Sequence, residues 1–203
     1  MIPDLKEVKA AAKRIGPHAH NTPVLTCSTI DQMLNATVYF KCENFQRGGS
    51  FKIRGAINAI SQLTEDERAR GVITHSSGNF AAALALAAKA LDTKAYIVMP
   101  SNAPSVKRDA VAGYGAQIIE CDPTLQSRES TTQLHQKKSG ATFIHPSNDM
   151  KVILGHSSAV MELAKEAEQL DVVIAPVGGG GLLAGTALAV NHLHYYIETI
   201  GAE

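Results

Sequence analysis

From residue 71 onward the chain alternates short apolar runs with longer segments of helical spacing, and this alternation restricts its fold more than any other feature. The runs at 71–74, 95–99, 116–120, 142–144, 172–177 and 197–202 read as strands. The stretches 79–91, 104–112 (with Pro104 at its start), 126–138 and 152–170 read as helices, and the Ala/Leu-rich segment 186–190 continues the pattern. Such alternation folds as βαβ units around a mainly parallel sheet. The strands are continuous apolar runs, as expected where helices cover both faces. Upstream, Asp4 is placed to cap a helix whose Leu5, Val8, Ala12 and Ile15 share one face. Thr22-Pro23-Val24 reads as an extended turn, 38–42 as a short strand and 51–63 as a helix.

Charge removes several function classes. Nineteen Lys and Arg balance nineteen Asp and Glu, and Trp is absent, so neither a nucleic acid nor an acidic membrane surface is an expected partner. No apolar run is long enough to span a bilayer, and Met1-Ile2-Pro3-Asp4 does not open a signal peptide. Cys27, Cys42 and Cys121 lack metal-ligand spacing and read as small buried residues of a reduced compartment, so a cytoplasmic chain is expected. A strand-like segment running up to Glu203 would leave a sheet edge exposed, so either the chain is a fragment or something else covers that edge.

Ligands of parallel sheets collect at the carboxyl ends of strands. Three segments lie there: 75–80, 145–148 and 178–181. In the last, Gly178-Gly179-Gly180-Gly181 joins a strand to a helix beginning Leu182-Leu183-Ala184-Gly185. Residues without Cβ let backbone N–H groups converge, and the helix dipole points at the same place, which suits a phosphate. Consecutive glycines match neither the spaced dinucleotide fingerprint nor a P-loop. In Ser50-Phe51-Lys52-Ile53-Arg54-Gly55-Ala56, a lysine opens a helix where the dipole disfavours a cation, between two apolar neighbours. Such surroundings lower an amine pKa, as Schiff-base chemistry requires, although a surface lysine could also begin a helix. His75-Ser76-Ser77-Gly78-Asn79-Phe80 offers hydroxyls, an amide and backbone donors at another helix N-terminus, suited to a carboxylate or a ring hydroxyl. Ser77 or Asn79 could equally cap that helix.

Together these segments resemble the fold-type II pyridoxal-phosphate enzymes, the family of serine racemase and the serine/threonine and hydroxyaspartate dehydratases. Ser50 to Ala56 resembles the cofactor-lysine motif, Ser76-Ser77-Gly78-Asn79 the asparagine loop and the four glycines the phosphate cup. Thr22-Pro23-Val24, Lys41-Cys42-Glu43-Asn44 and Ser127-Arg128-Glu129 support the match. The resemblance implies an α/β fold of two three-layer domains with mainly parallel sheets, similar to the tryptophan synthase β-subunit and C-terminally incomplete. Residues 1–71 with 148–203 would form the large cofactor domain, and 72–147 the small substrate-side domain.

The resemblance also implies roles. Lys52 would bind the aldehyde of pyridoxal 5′-phosphate and act as a base on one face, with Phe51 near the ring and Asn79 on the ring hydroxyl. Gly178, Gly179, Gly180 and Gly181, with the Leu182 amide, would hold the phosphate. Ser76 and Ser77 would receive the substrate carboxylate, and Arg128 would approach it, unless it is a solvated helix-end arginine. Serine racemases and hydroxyaspartate dehydratases have Ser at position 77, where threonine dehydratases usually have Ala. Racemisation by two bases needs a proton carrier opposite Lys52, and Ser77 is placed for it, or it binds the carboxylate alone. Glu203 resembles the first acidic ligand of a Mg2+ site whose partners would lie past residue 203; one carboxylate cannot build such a site, so here it reads as a glutamate in water.

Two departures stand out. Phe80 replaces a commoner His. Gly155-His156-Ser157-Ser158 replaces Gly-Gln-Gly-Thr at what reads as a turn beginning or capping a helix near the cofactor. The expected activity is a racemase or ammonia-lyase (dehydratase) on small hydroxy-amino acids such as L-serine, L-threonine or 3-hydroxyaspartate, homodimeric if the family's whole architecture is present. The alternative is a non-catalytic remnant that binds cofactor or a full-length partner.

Overall fold

The structure is a computed structural model that describes residues 2–167, 169–193 and 196–203. Helix α1 (Leu5–Ile15) opens on a capping box in which Asp4 and Glu7 satisfy each other's backbone amides. Val8, Ala11 and Ile15 form its buried stripe. Strand β1 (Val24–Leu25) leads into α2 (Ser28–Leu34), and β2 (Phe40–Lys41) returns antiparallel to β1. Two short 3-10 turns, Glu43–Phe45 and Arg47–Gly49, precede α3 (Lys52–Ile60) and α4 (Glu65–Arg70).

The remaining elements alternate as expected: β3 (Val72–His75), α5 (Asn79–Ala90), β4 (Ala95–Pro100), α6 (Ser105–Gly113), β5 (Gln117–Cys121), α7 (Leu125–Ser139), β6 (Thr142–Phe143), α8 (Met150–Glu166), β7 (Val172–Pro176), α9 (Gly181–Leu193) and β8 (Glu198–Ala202). Four strands form an all-parallel sheet in the order β5-β4-β3-β6. Its alternate residues serve opposite faces. Val72, Ala95, Ile97 and Met99 pack with α3, α5 and α6, while Ile73, Tyr96, Val98, Ile119 and Phe143 form a second cluster on the other face, toward α7. Strands β7 and β8 pair in parallel as a separate sheet, and a third cluster joins them to α1, α8 and α9.

Helix α5 is buried nearly all round, which its alanines permit because they let both α3 and the sheet approach closely. Gly71 enters β3 at φ +90°, where an added Cβ would lie 2.6 Å from the Lys94 carbonyl oxygen, so the turn depends on glycine.

Several expectations need correction. The strand expected at 38–42 is paired only at Phe40–Lys41, because β1 offers just two residues to pair with. The helix expected at 152–170 runs from Met150 to Glu166, and Glu168, within the expected span, lies outside the described residues. Residues 155–158 lie inside α8 and neither begin nor cap it; the cap is Asp149. Neither Ser77 nor Asn79 caps α5, where Gly78 holds the N-cap position. Cys121 is buried, but Cys27 and Cys42 are only half-buried. Among the described residues no helix is long and apolar enough to cross a membrane.

Candidate active site

Lys52 is the first residue of α3, half-buried, with its Nζ 4.8 Å from the Phe51 ring centroid and 6.0 Å from that of Phe80. Nζ donates to the Pro146 carbonyl at 3.1 Å, and among the described residues no carboxylate pairs with it. Burial therefore pulls the amine below the ordinary lysine range. Phe51 stands edge-on to His156 with ring centroids 4.9 Å apart.

The glycine run meets the same loop from the other side. A Cβ at Gly179 would sit 2.5 Å from Ser147 Oγ, and one at Gly181 would sit 2.9 Å from the Ser147 carbonyl oxygen. A Cβ at Gly178 or Gly180 would meet open space, although Gly180 has φ +77°. Thus 145–148 joins the lysine to the glycines: Pro146 touches one, Ser147 the other. The first amides of α9 have no partner within the helix. Glycine on one wall, the unpaired amides of a helix N-terminus and an amine of lowered pKa nearby fit a phosphate-bearing aldehyde.

His156 was expected only as a departure at a helix start. It lies within α8, 0% exposed, wedged so tightly that a Cβ on Gly55 would fall 2.6 Å from its Nε2. Among the described residues neither ring nitrogen has a partner in hydrogen-bond geometry. Burial, then the charge of Lys52, push its pKa down to about 3, against the nearby Gly181 backbone and with a further push from Arg54.

Arg54 is also 0% exposed, but it is paired twice over. Its Nε and Nη2 donate to Glu43, each at 2.8 Å, and its Nη1 and Nη2 to Glu162 at 2.7 and 2.8 Å. Lys41 joins Glu162 at 3.0 Å, and the Thr22 hydroxyl donates to Glu43 at 2.6 Å. Burial opposes the charge on Arg54, but the two forks outweigh it and raise the guanidinium pKa. In the sequence Lys41, Glu43 and Thr22 support the family resemblance without an assigned role; for Lys41 and Glu43 the signal is the Lys41-Cys42-Glu43-Asn44 block, with two charges at the end of a short strand.

The other expected residues take these places. Ser76 N–H donates to the Val98 carbonyl at 3.2 Å, and its Oγ accepts from Gly78 N–H at 3.3 Å. Ser77 is half-buried in the same turn, which leads through Asn79 to Phe80 beside Lys52. Asn79 is exposed and its Oδ1 accepts from Lys107 Nζ at 2.7 Å, so its side chain is engaged with α6. Arg128 lies on α7 with a buried Nε that has no hydrogen-bond partner among the described residues. It acts on His75, whose imidazole is held below its ordinary range chiefly by burial, with Arg128 adding to the push. Leu182 is the second residue of α9. Glu203 is exposed next to Ala202, whose carbonyl accepts from Val177 N–H at 2.8 Å beside the glycine run. No group of three His, Cys, Asp or Glu among the described residues could hold a metal ion.

A parallel α/β scaffold that sets a glycine-lined helix N-terminus beside a desolvated lysine suits the class of protein that works with an aldehyde cofactor. The chain matches the family "Pyridoxal-phosphate dependent enzyme" over residues 15–203 and belongs to it. It is 48% identical over 199 residues to a serine racemase of Dictyostelium discoideum, covering 98% of this chain and 61% of that protein. It is 43% identical over 202 residues to a β-hydroxyaspartate dehydratase of Paracoccus denitrificans, covering 100% of this chain and 64% of the relative. The crystal structure of the Dictyostelium serine racemase superposes with a TM-score of 0.97 at 47% identity, covering 100% of this chain and 66% of that one. The fold is thus the α/β architecture of fold type II. The chain spans less than two thirds of each of these relatives.

Proposed function

We propose that this chain is the cofactor-binding portion of a racemase or ammonia-lyase acting on small hydroxy-amino acids such as L-serine, L-threonine or 3-hydroxyaspartate. One observation carries the reading: the half-buried Lys52 amine, without a carboxylate partner among the described residues, shares the Pro146–Ser147 turn with a four-glycine run at the N-terminus of α9. When bound, pyridoxal 5′-phosphate supplies an aldehyde for an amine and an electron sink next to Cα. In this reading 1–71 and 148–203 form the cofactor lobe and 72–147 the substrate lobe, which the four-stranded sheet at Val72–Phe143 supports.

Each residue then has a physical task. Burial lowers the Lys52 pKa, which favours an amine that can bond a carbonyl carbon with loss of water and afterwards hold a proton. Gly178 to Gly181 and the Leu182 amide bind the phosphate, and Phe51 packs by the ring. Asn79 turns from Lys107 to the ring hydroxyl. Ser76, Ser77 and Arg128 take the substrate carboxylate, for which the unpartnered Arg128 Nε is a ready donor. Proton return by Ser77 to the opposite face of Cα gives racemisation, and expulsion of the β-hydroxyl gives elimination. Glu203 would give one oxygen to a divalent cation and needs further ligands. The assembly is a homodimer when the family's full architecture is present.

The test is purification with pyridoxal 5′-phosphate, followed by assay of oxo-acid release and of enantiomer formation from each candidate L-amino acid. A yellow protein that turns over at least one of them is expected. A protein that binds the cofactor without turnover supports the remnant and contradicts the enzyme.

A further inference from the structure

His145 follows the buried Ile144 at the end of β6, half-buried, with the rings of His75 and Phe143 each 6.1 Å away and nearly perpendicular. Its Nδ1 lies 3.1 Å from the Ser147 amide nitrogen and 2.8 Å from that of Asn148. A backbone amide only donates, so Nδ1 accepts both bonds and carries no proton. The imidazole does here what an Asp or Asn side chain does in an Asx-turn, folding the following backbone onto itself.

The turn so formed is the one that touches both halves of the site. Pro146 has no N–H, and its carbonyl meets Lys52 Nζ at 3.1 Å. Ser147 abuts Gly179 and Gly181. Asp149 then caps α8 through the amides of Lys151 and Val152, which fixes the far end of the turn to a long helix. A carboxylate at position 145 could accept the same two amides. It would also put a negative charge one residue from the carbonyl that meets the lysine and raise the amine pKa. A neutral imidazole gives the turn without that charge.

We infer that His145 is a positioning residue of the cofactor site, holding the Pro146–Ser147 turn through Nδ1 as an uncharged acceptor. The inference rests on the reading of Lys52 as the cofactor lysine. Four variants separate its parts. His145→Asn keeps a neutral acceptor near the Nδ1 position, and His145→Asp keeps the acceptor but adds charge. His145→Gln moves the acceptor one bond outward, and His145→Ala removes it.

Hydrogen exchange of the Ser147 and Asn148 amides, measured without cofactor, reads the turn. It should quicken about tenfold in the Gln and Ala variants and stay near wild type in the Asn and Asp variants. Pyridoxal 5′-phosphate affinity should fall about tenfold in Gln and Ala and return with Asn. In Asp the pH midpoint of the bound cofactor's visible absorbance should rise with the lysine pKa. Unchanged exchange in His145→Ala, or an Asn variant as impaired as Ala, overturns the role of His145. A wild-type protein that takes up no pyridoxal 5′-phosphate overturns instead the reading of Lys52, and with it the cofactor side of the inference.

Discussion

Two cations stand two residues apart on the first turn of α3, and the protein treats them in opposite ways. Arg54 is fully buried and forked by two carboxylates, so it stays charged at every working pH. Lys52 is half-buried with rings and a single carbonyl for company, and its amine is pulled toward the neutral form. Helix dipole and propensity act on both almost equally. What differs is where the carboxylates are: Glu43 and Glu162 reach α3 on the side of Arg54, and among the described residues none reaches Lys52. Charge on this helix is therefore decided by tertiary packing. The same network that staples the 22–46 segment to α3 and α8 also holds Glu43 and Glu162 on Arg54 rather than on Lys52.

The contrast breaks most severely at Arg54. Arg54→Met leaves Glu43 without its cation and Glu162 with Lys41 alone, and should cost about 3–5 kcal/mol in denaturant unfolding. Arg54→Lys, which keeps the charge but loses both forks, should fall between.

His156 gives the next effect. Its folded pKa is about 3 against an ordinary 6.5, so the unfolded chain takes up a proton near pH 6.5 while the folded one does not. Its share of stability is complete above pH 6.5 and is lost as pH falls toward 3. Between pH 7.5 and 5 that share should drop by about 2 kcal/mol. Unfolding of wild type and His156→Gln at both pH values checks this, since the variant should lack that part of the acid sensitivity; parallel losses in the two proteins would rule it out.

Within the glycine run, Gly179→Ala drives a methyl against Ser147 and should cost about 1–2 kcal/mol together with phosphate affinity. Gly178→Ala enters open space and should cost little stability. The smallest stability change sharpens the opening contrast. Lys52→Met removes a desolvated amine with no carboxylate partner among the described residues and should leave stability unchanged or slightly raised, while cofactor binding is lost. A loss as large as that of Arg54→Met would mean that Lys52 is a structural ion.

Much of this was legible in the chain. The parallel sheet, its connecting helices and the three loops at the strand ends follow from apolar runs separated by helical spacing, and the lysine and glycine segments stand out by their chemistry. Helix α2 was not legible, because it buries no residue and leaves Met33 and Leu34 exposed at 79% and 63%. Helix α4 has no apolar period either; its one signal is the Thr64 to Glu67 capping box. Within the site, the Arg54 network joins residues more than 100 positions apart, as with Glu162, and periodicity carries no such pairing. The contact of Pro146 and Ser147 with Lys52 and the glycines was hidden for the same reason: it exists only once β6, α3 and α9 are assembled.

The most direct test of the account is to incubate the protein with pyridoxal 5′-phosphate, reduce it with borohydride and map the modified lysine by mass spectrometry. The account predicts a single adduct at Lys52 that disappears in Lys52→Ala. An adduct spread over surface lysines, with Lys52 unmodified, would contradict it.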